Sequence, residues 1–298
     1  MLHFPVLLEE SIDFLVHKNN GKYIDCTFGR GGHTQAILSK LTSSSHLTSF
    51  DKDLDAIKHA SLIEKDNFKF IHDSFNQLEK YFEDTSIDGI LFDLGTCSTH
   101  FDDEKRGFSF RNNGPLDIRF DTTKGYPLSD WINNANQDEI MNILYKYGDE
   151  KHAKLISKSI IDSCKKNKIT TTIELANIIE NIYPEKKRRI HPATKSFQAF
   201  RIFINDELNQ LKDALEQASR IVKKNGIIVV ISFHSLEDNI VKNFFRPNIR
   251  NYPKDIPLNS IENKEFKCIA KKIRPSDNEI NINKRSRSAI MRVFRKIQ

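Results

Sequence analysis

The chain has 298 residues, 38% hydrophobic and 10% aromatic, a composition that can bury a core and is unlike that of a disordered segment. Its net charge of +6 is uneven: residues 240–298 carry 15 Lys/Arg against 5 Asp/Glu, and the preceding residues carry 31 against 35, which points to a polyanion-binding C-terminal quarter or, alternatively, a solvated basic tail. No apolar run approaches the ~20 residues that span a bilayer, the opening MLHFPVLLEESIDFL has acids where a signal peptide has lysines, and Cys26, Cys97, Cys164 and Cys268 form no CxxC pair, so a cytoplasmic chain with no membrane partner and no metal is expected.

In chain order, GKYIDCTF reads as a strand, HTQAILSKL as a helix, HLTSFDKD as a second strand and DAIKHASLIE as a second helix. FKFIHDSF, NQLEKYFED and DGILFDLG continue as strand, helix and an apolar strand. This alternation predicts an α/β fold with a parallel sheet covered on both faces. RGFSFRNNGPLDIRFDTTKG then has no usable period. SDWINNANQDEIMNILYKYG, EKHAKLISKSIIDSCKKN and TTTIELANIIENIY show apolar spacing at i, i+3 and i+4 and predict helices. After YPEKKRRIHP, one long amphipathic pattern from SFQAF to KKNG leads into the buried-strand run IIVVISFHS. Helices between two sheet strands predict an inserted domain: a core over 1–107, a helical substrate domain over 108–203 and the second part of the core over 204–298.

In IDCTFGRGGHTQAIL, Gly29, Gly31 and Gly32 lie between a strand and a helix, where a ligand can approach the backbone and the helix N-terminus. The dinucleotide pattern GxGxxG fails at Thr34, and the phosphate-loop pattern lacks its GK[ST]. What remains is a turn for an adenosine-bearing ligand, or a tight turn with surface acids. Asp51 ends the second strand, where an acid accepts hydrogen bonds from ribose hydroxyls. Asp25, ending the first, suits a ligand with an ammonium group, which S-adenosylmethionine has and NAD lacks. Asp93 in ILFDLGTCS stands at a strand tip, where open α/β sheets hold their ligands. Phe75 packs on an adenine or in the core.

The blocks HFPVLLEES, YIDCTFGRGGHTQAIL, SFDKDLDAI, DGILFDLGTCS, DEKRGFSFRNNGPLDIRFD, HPATKSFQAFRIFINDEL, ISFHSLED and RSRSAIMRVFRK run nearly end to end. In them the chain resembles the bacterial ribosomal RNA cytosine-N4 methyltransferase family. The resemblance implies a class I, Rossmann-like S-adenosylmethionine-dependent methyltransferase with an inserted all-helical domain. It implies that Gly31, Gly32 and His33 contact S-adenosyl-L-methionine, with Asp51, Phe75 and Asp93 completing the pocket. Where the family has glutamine closing an SSPQ run, this chain has Cys97, Ser98, Thr99 and His100. His100 takes the glutamine's place among the expected cofactor contacts.

The implied reaction is methylation of a cytidine N4 amine in 16S rRNA, at the decoding centre, with the small ribosomal subunit as partner. An activated methyl leaves the protein chiefly the task of aligning donor and acceptor. Asp93 and Ser98 are the candidate catalytic residues at the fourth strand's tip, and Arg111, Arg119, Arg201 and His234 the candidate substrate contacts. The alternatives are a structural linker whose arginines pair with Asp117 and Asp121, and a hydrogen-bonded structural histidine at 234. Asn205, four residues from Arg201, and the run Lys186, Lys187, Arg188 and Arg189 are further candidates for RNA or for packing. The closing KRSRSAIMRVFRK reads as a sheet-edge strand with arginines for RNA backbone. A DNA amino-methyltransferase and a non-catalytic ribosome-binding protein of the same fold stay open, as does oligomerisation.

Overall fold

The structure, a computed structural model, describes residues 5–184, 191–246 and 265–298. The chain divides into two compact units, residues 1–95 with 208–298 and residues 96–207. The sequence pattern alone places these boundaries at 107/108 and 203/204.

The first unit opens with α1 (Leu8–Leu15), β1 (Lys22–Asp25), α2 (Gly32–Lys40), β2 (His46–Asp51), α3 (Leu54–Ala60), β3 (Phe68–His72) and β4 (Ile87–Asp93). The helical unit holds α4 (Ser98–Asp102), α5 (Leu128–Ile132), α6 (Gln137–Gly148), α7 (Ala153–Cys164), α8 (Thr172–Glu180) and α9 (Thr194–Ile204). The chain then runs through α10 (Glu207–Ile221), β5 (Val222–Ser232), α11 (Ser235–Phe244), β6 (Phe266–Ile273), α12 (Asp277–Ile282) and β7 (Ile290–Lys296).

The strands form one seven-stranded sheet in the order β3-β2-β1-β4-β5-β7-β6, parallel except that β7 runs against both its neighbours. Side-chain alternation sorts its two faces. Ile24, Phe50, Ile90 and Phe92 pack with Leu211, Leu215 and Ala218 of α10. Tyr23, Leu47, Leu91 and Val229 pack with Leu15 of α1 and Ile37 of α2 on the other face. This is a Rossmann-like α/β fold, as the strand and helix alternation predicts. In the helical unit, Ile140, Leu144, Ile156, Ile160, Leu175, Ile179 and Phe200 share one core. Capping boxes at Asn136/Glu139 and Thr171/Glu174 start α6 and α8.

Four local expectations need correction. The third helix of the alternation is a 3-10 helix, Phe75–Lys80, with Gln77 off helical geometry. The pattern from Ser129 to Gly148 splits into α5 and α6. The long amphipathic pattern breaks into α9 and α10 at Asp206, whose φ is 49°. There the Asn205 amide accepts from the Phe120 N–H (2.8 Å) and donates to the carbonyls of Ile118 (2.8 Å) and Arg201 (3.0 Å). A side chain that satisfies the backbone of a distant loop outweighs helical period. Finally, β7 is an interior strand, and the edge is β6. No helix among the described residues is long and apolar enough to cross a membrane.

Candidate active site

The parallel strands point their C-terminal ends one way and deliver Asp25, Asp51 and Asp93 to one end of the sheet. β1 leads through the turn Cys26–Gly31 into α2. Gly31 caps that helix at φ 82°, a conformation that strains any residue with a Cβ. Gly32 follows because a Cβ there would lie 2.2 Å from Cγ of Pro5. The N-terminal segment thus closes directly over the helix start.

The Asp51 carboxylate is fixed from behind by two backbone amides, Gly29 N–H to Oδ2 (2.7 Å) and Asp53 N–H to Oδ1 (2.9 Å). The two amides orient the carboxylate at the strand tip, from where an acid accepts hydrogen bonds from ribose hydroxyls. Asp53, two residues on, caps α3 through Asp55 N–H (3.2 Å) and takes Arg30 Nη1 at 3.3 Å. Neither Arg30 nor Asp53 was singled out in the sequence, although an acid just before LDAIKHA is a helix-start signal.

Asp93 sits at the tip of β4, and its own N–H donates to Thr27 Oγ1 (2.7 Å), tying the β4 tip to the glycine turn. His33 lies beside it, buried at 4% exposure. Its Nε2 lies 3.1 Å from the Val6 carbonyl, which can only accept, so Nε2 carries a proton; Nδ1 faces Asp93 Oδ2 at 3.5 Å. The ring therefore bonds the N-terminal segment and lies beside the Asp93 carboxylate. Phe75 follows β3 and packs edge-on against Phe92, ring centroids 5.9 Å apart.

Asp25 departs from its expected role. It is fully buried, accepting from the Thr27 N–H (3.1 Å) and the Thr34 hydroxyl (2.7 Å), and Thr34 Oγ1 is 2.7 Å from Ser49 Oγ. Burial pushes its carboxyl up to about 6. With no exposed atom, Asp25 supports the turn from beneath and presents nothing to a ligand's ammonium group.

His234 follows β5 at the same end of the sheet but caps α11. Its Nδ1 accepts from Glu237 N–H (3.4 Å), while Glu237 accepts from the amides of Phe233 (2.8 Å) and His234 (3.2 Å). The first unit thus carries Gly31, Gly32, His33, Asp51, Phe75, Asp93 and His234 at or just beyond the C-terminal ends of its parallel strands.

Ser98, His100, Arg111, Arg119 and Arg201 belong to the helical unit. Ser98 begins α4, and its side chain lies outside what the structure describes, as does the run Lys186–Arg189. His100 is buried, stacked on Phe108 (5.0 Å) and tilted against Phe120 (5.3 Å). Arg119 forms a two-pronged pair with Asp117, Nε to Oδ1 at 2.7 Å and Nη2 to Oδ2 at 2.8 Å, which raises the guanidinium's proton affinity. Arg201 pairs in the same way with Glu207, at 2.8 and 3.0 Å. Arg111 is exposed. Arg106 pins the aperiodic loop through the carbonyls of Arg119 (3.1 Å) and Phe120 (2.9 Å).

Comparison with known proteins follows from this geometry. A model of the MraW methylase family matches residues 1–297. Proteins named ribosomal RNA small subunit methyltransferase H are similar along nearly their whole length. The one from Idiomarina loihiensis is 42% identical, covering 99% of this chain and 97% of its own. The one from Buchnera aphidicola subsp. Cinara cedri is 44% identical, covering 98% and 99%. Among solved structures, an rRNA methylase from Streptococcus thermophilus aligns at TM-score 0.43 and 14% identity over 100% of this chain and 99% of its own. Fold, glycine turn and family agree on S-adenosylmethionine as the cofactor. The chain belongs to the MraW methylase family.

Proposed function

We propose that this protein transfers a methyl group from S-adenosylmethionine to the N4 amine of a cytidine in 16S rRNA, acting on the small ribosomal subunit in the cytoplasm. The observation that carries the reading is near-full-length identity of 42–44% to relatives named as small-subunit ribosomal RNA methyltransferases. The geometry supports it. Gly29 to His33 offer backbone at the start of α2, Asp51 ends β2 where ribose hydroxyls would be accepted, and Phe75 follows β3 with a ring that an adenine could meet.

The cofactor supplies a methyl group already activated by its sulfonium. The chain's task is to hold the acceptor in line and to draw out the amine's lone pair, which the cytosine ring delocalises. Asp93 is the group placed for this at the β4 tip, and Ser98 on the following segment is the second candidate. Reaching them requires the base to leave its stack, at a cost of a few kcal/mol.

The test is methyl transfer in vitro from labelled S-adenosylmethionine to small-subunit RNA and particles, followed by nucleoside mass spectrometry. N4-methylcytidine is the expected product. Label in DNA alone would favour the DNA enzyme, and cofactor binding or RNA binding without label would favour the non-catalytic protein.

A further inference from the structure

The β6 edge of the sheet carries charge that the methyl-transfer site does not use, and the strand register ties that edge to the site. Asp93 on β4 pairs with Ile231 on β5, Ile231 with Met291 on β7, and Met291 with Ile273 on β6. Ile273 therefore shares a cross-sheet row with Asp93, three strand spacings away, or about 14 Å at ~4.8 Å per spacing.

Lys271, Lys272 and Arg274 flank Ile273 and are exposed. After α12 the chain forms the 3-10 turn Lys284–Ser288, where Lys284 and Arg287 are exposed. That turn leads straight into Ile290, the register partner of Ser232 at the tip of β5. These five cations thus gather at the end of the sheet that carries Asp51 and Asp93. The segment's acids offset them only in part: Glu279 accepts from the Leu7 N–H at 2.9 Å, and Asp277 lies in the first turn of α12.

Neighbouring cations are occupied otherwise. Arg292 makes a two-pronged pair with Asp238 at 2.6 and 2.9 Å, and Lys296 donates to the carbonyls of Ser219 (2.7 Å) and Val222 (3.0 Å). Of the arginines in the closing run that the sequence offered to RNA, Arg292 is thus committed within the sheet, whereas Arg287 lies in the exposed turn.

We infer that the end of β6 and the Lys284–Ser288 turn hold the phosphodiester backbone of the substrate RNA to one side of the target nucleotide. The inference rests on the RNA reading above and adds to it where the strand runs. Closely spaced cations on a polar edge suit a polyanion's phosphates. At ~3.4 Å per stacked nucleotide, 14 Å is about four nucleotides from the base at Asp93.

The test is binding of purified small-subunit ribosomal RNA across a salt series, with the full chain carrying Lys271→Gln, Lys272→Gln and Arg287→Gln. Each lost phosphate contact to a single strand removes about 0.7 from the slope of log affinity against log salt, so the triple variant should lose about 2. Its S-adenosylmethionine affinity and its rate at saturating RNA should stay at wild-type values, which also shows that it folds. The control is Lys267→Gln with Arg295→Gln. These like charges oppose each other in the row of Ile227 and Gly89, toward the other end of the sheet. Their loss should leave the slope unchanged. A triple variant that keeps the wild-type slope, or a control that loses as much, overturns the inference alone. A wild-type chain that binds this RNA without salt dependence overturns both the inference and the RNA reading.

Discussion

In the sheet unit, the acids proposed to serve the reaction are fixed from behind. Asp51 is held by the amides of Gly29 and Asp53, and Asp93 is flanked by His33, with its own N–H on Thr27. In the helical unit, cations expected to meet RNA are matched to that unit's own acids: Arg119 to Asp117 and Arg201 to Glu207. The first arrangement orients a charge while keeping it serviceable. The second spends the charge on holding a loop and a helix junction. Motif position alone does not separate the two, and hydrogen-bond partners do.

That contrast can be broken experimentally, beginning where the effect should be largest. Asp93→Ala should lower methyl transfer roughly 100-fold or more, with thermal unfolding near that of the wild type; near-normal turnover would remove Asp93 from the site. Asn205→Ala should cost about 2–4 kcal/mol in urea unfolding, because it strands the Phe120 N–H and the Ile118 carbonyl. A loss below ~0.5 kcal/mol would show that water replaces the amide.

Asp25 supplies a pH test. Burial lifts its carboxyl from 3.8 to about 6, so the folded chain binds that proton more tightly than the unfolded one. Its contribution to stability therefore falls as pH rises from about 4 to about 6 and stays low above that. Asp25→Asn should flatten this window. A variant that keeps the wild-type fall in stability between pH 4 and pH 6 would contradict this account of the buried carboxyl. The smallest effect is expected from Arg119→Gln, which should change RNA affinity less than about twofold while costing up to ~1 kcal/mol of stability. A tenfold loss of affinity would return Arg119 to the RNA surface.

Much of the fold could be read from the residues, because βαβ alternation and the apolar run of β4 follow directly from side-chain period. The break at Asp206 could not, since it depends on Asn205 meeting a loop more than eighty residues away in sequence. β6 escaped notice because FKCIAKKI lacks strand alternation, and its omission made β7 look like an edge. At the site, the glycine turn and strand-tip acids were legible by position. The depth of Asp25 was not, because an acid ending a strand reads the same whether it faces ligand or core. His33 drew notice as a cofactor contact, but its ring partners, Val6 and Asp93, come from distant segments.

The central claim is that the acid-tipped sheet directs a methyl group to a cytidine amine in 16S rRNA. Mass spectrometry of nucleosides from small-subunit RNA, after incubation with this protein and labelled S-adenosylmethionine, tests it most directly. Label in N4-methylcytidine, absent with Asp93→Ala, is the predicted result; label confined to another nucleoside, or none with a cofactor-bound wild type, would contradict it.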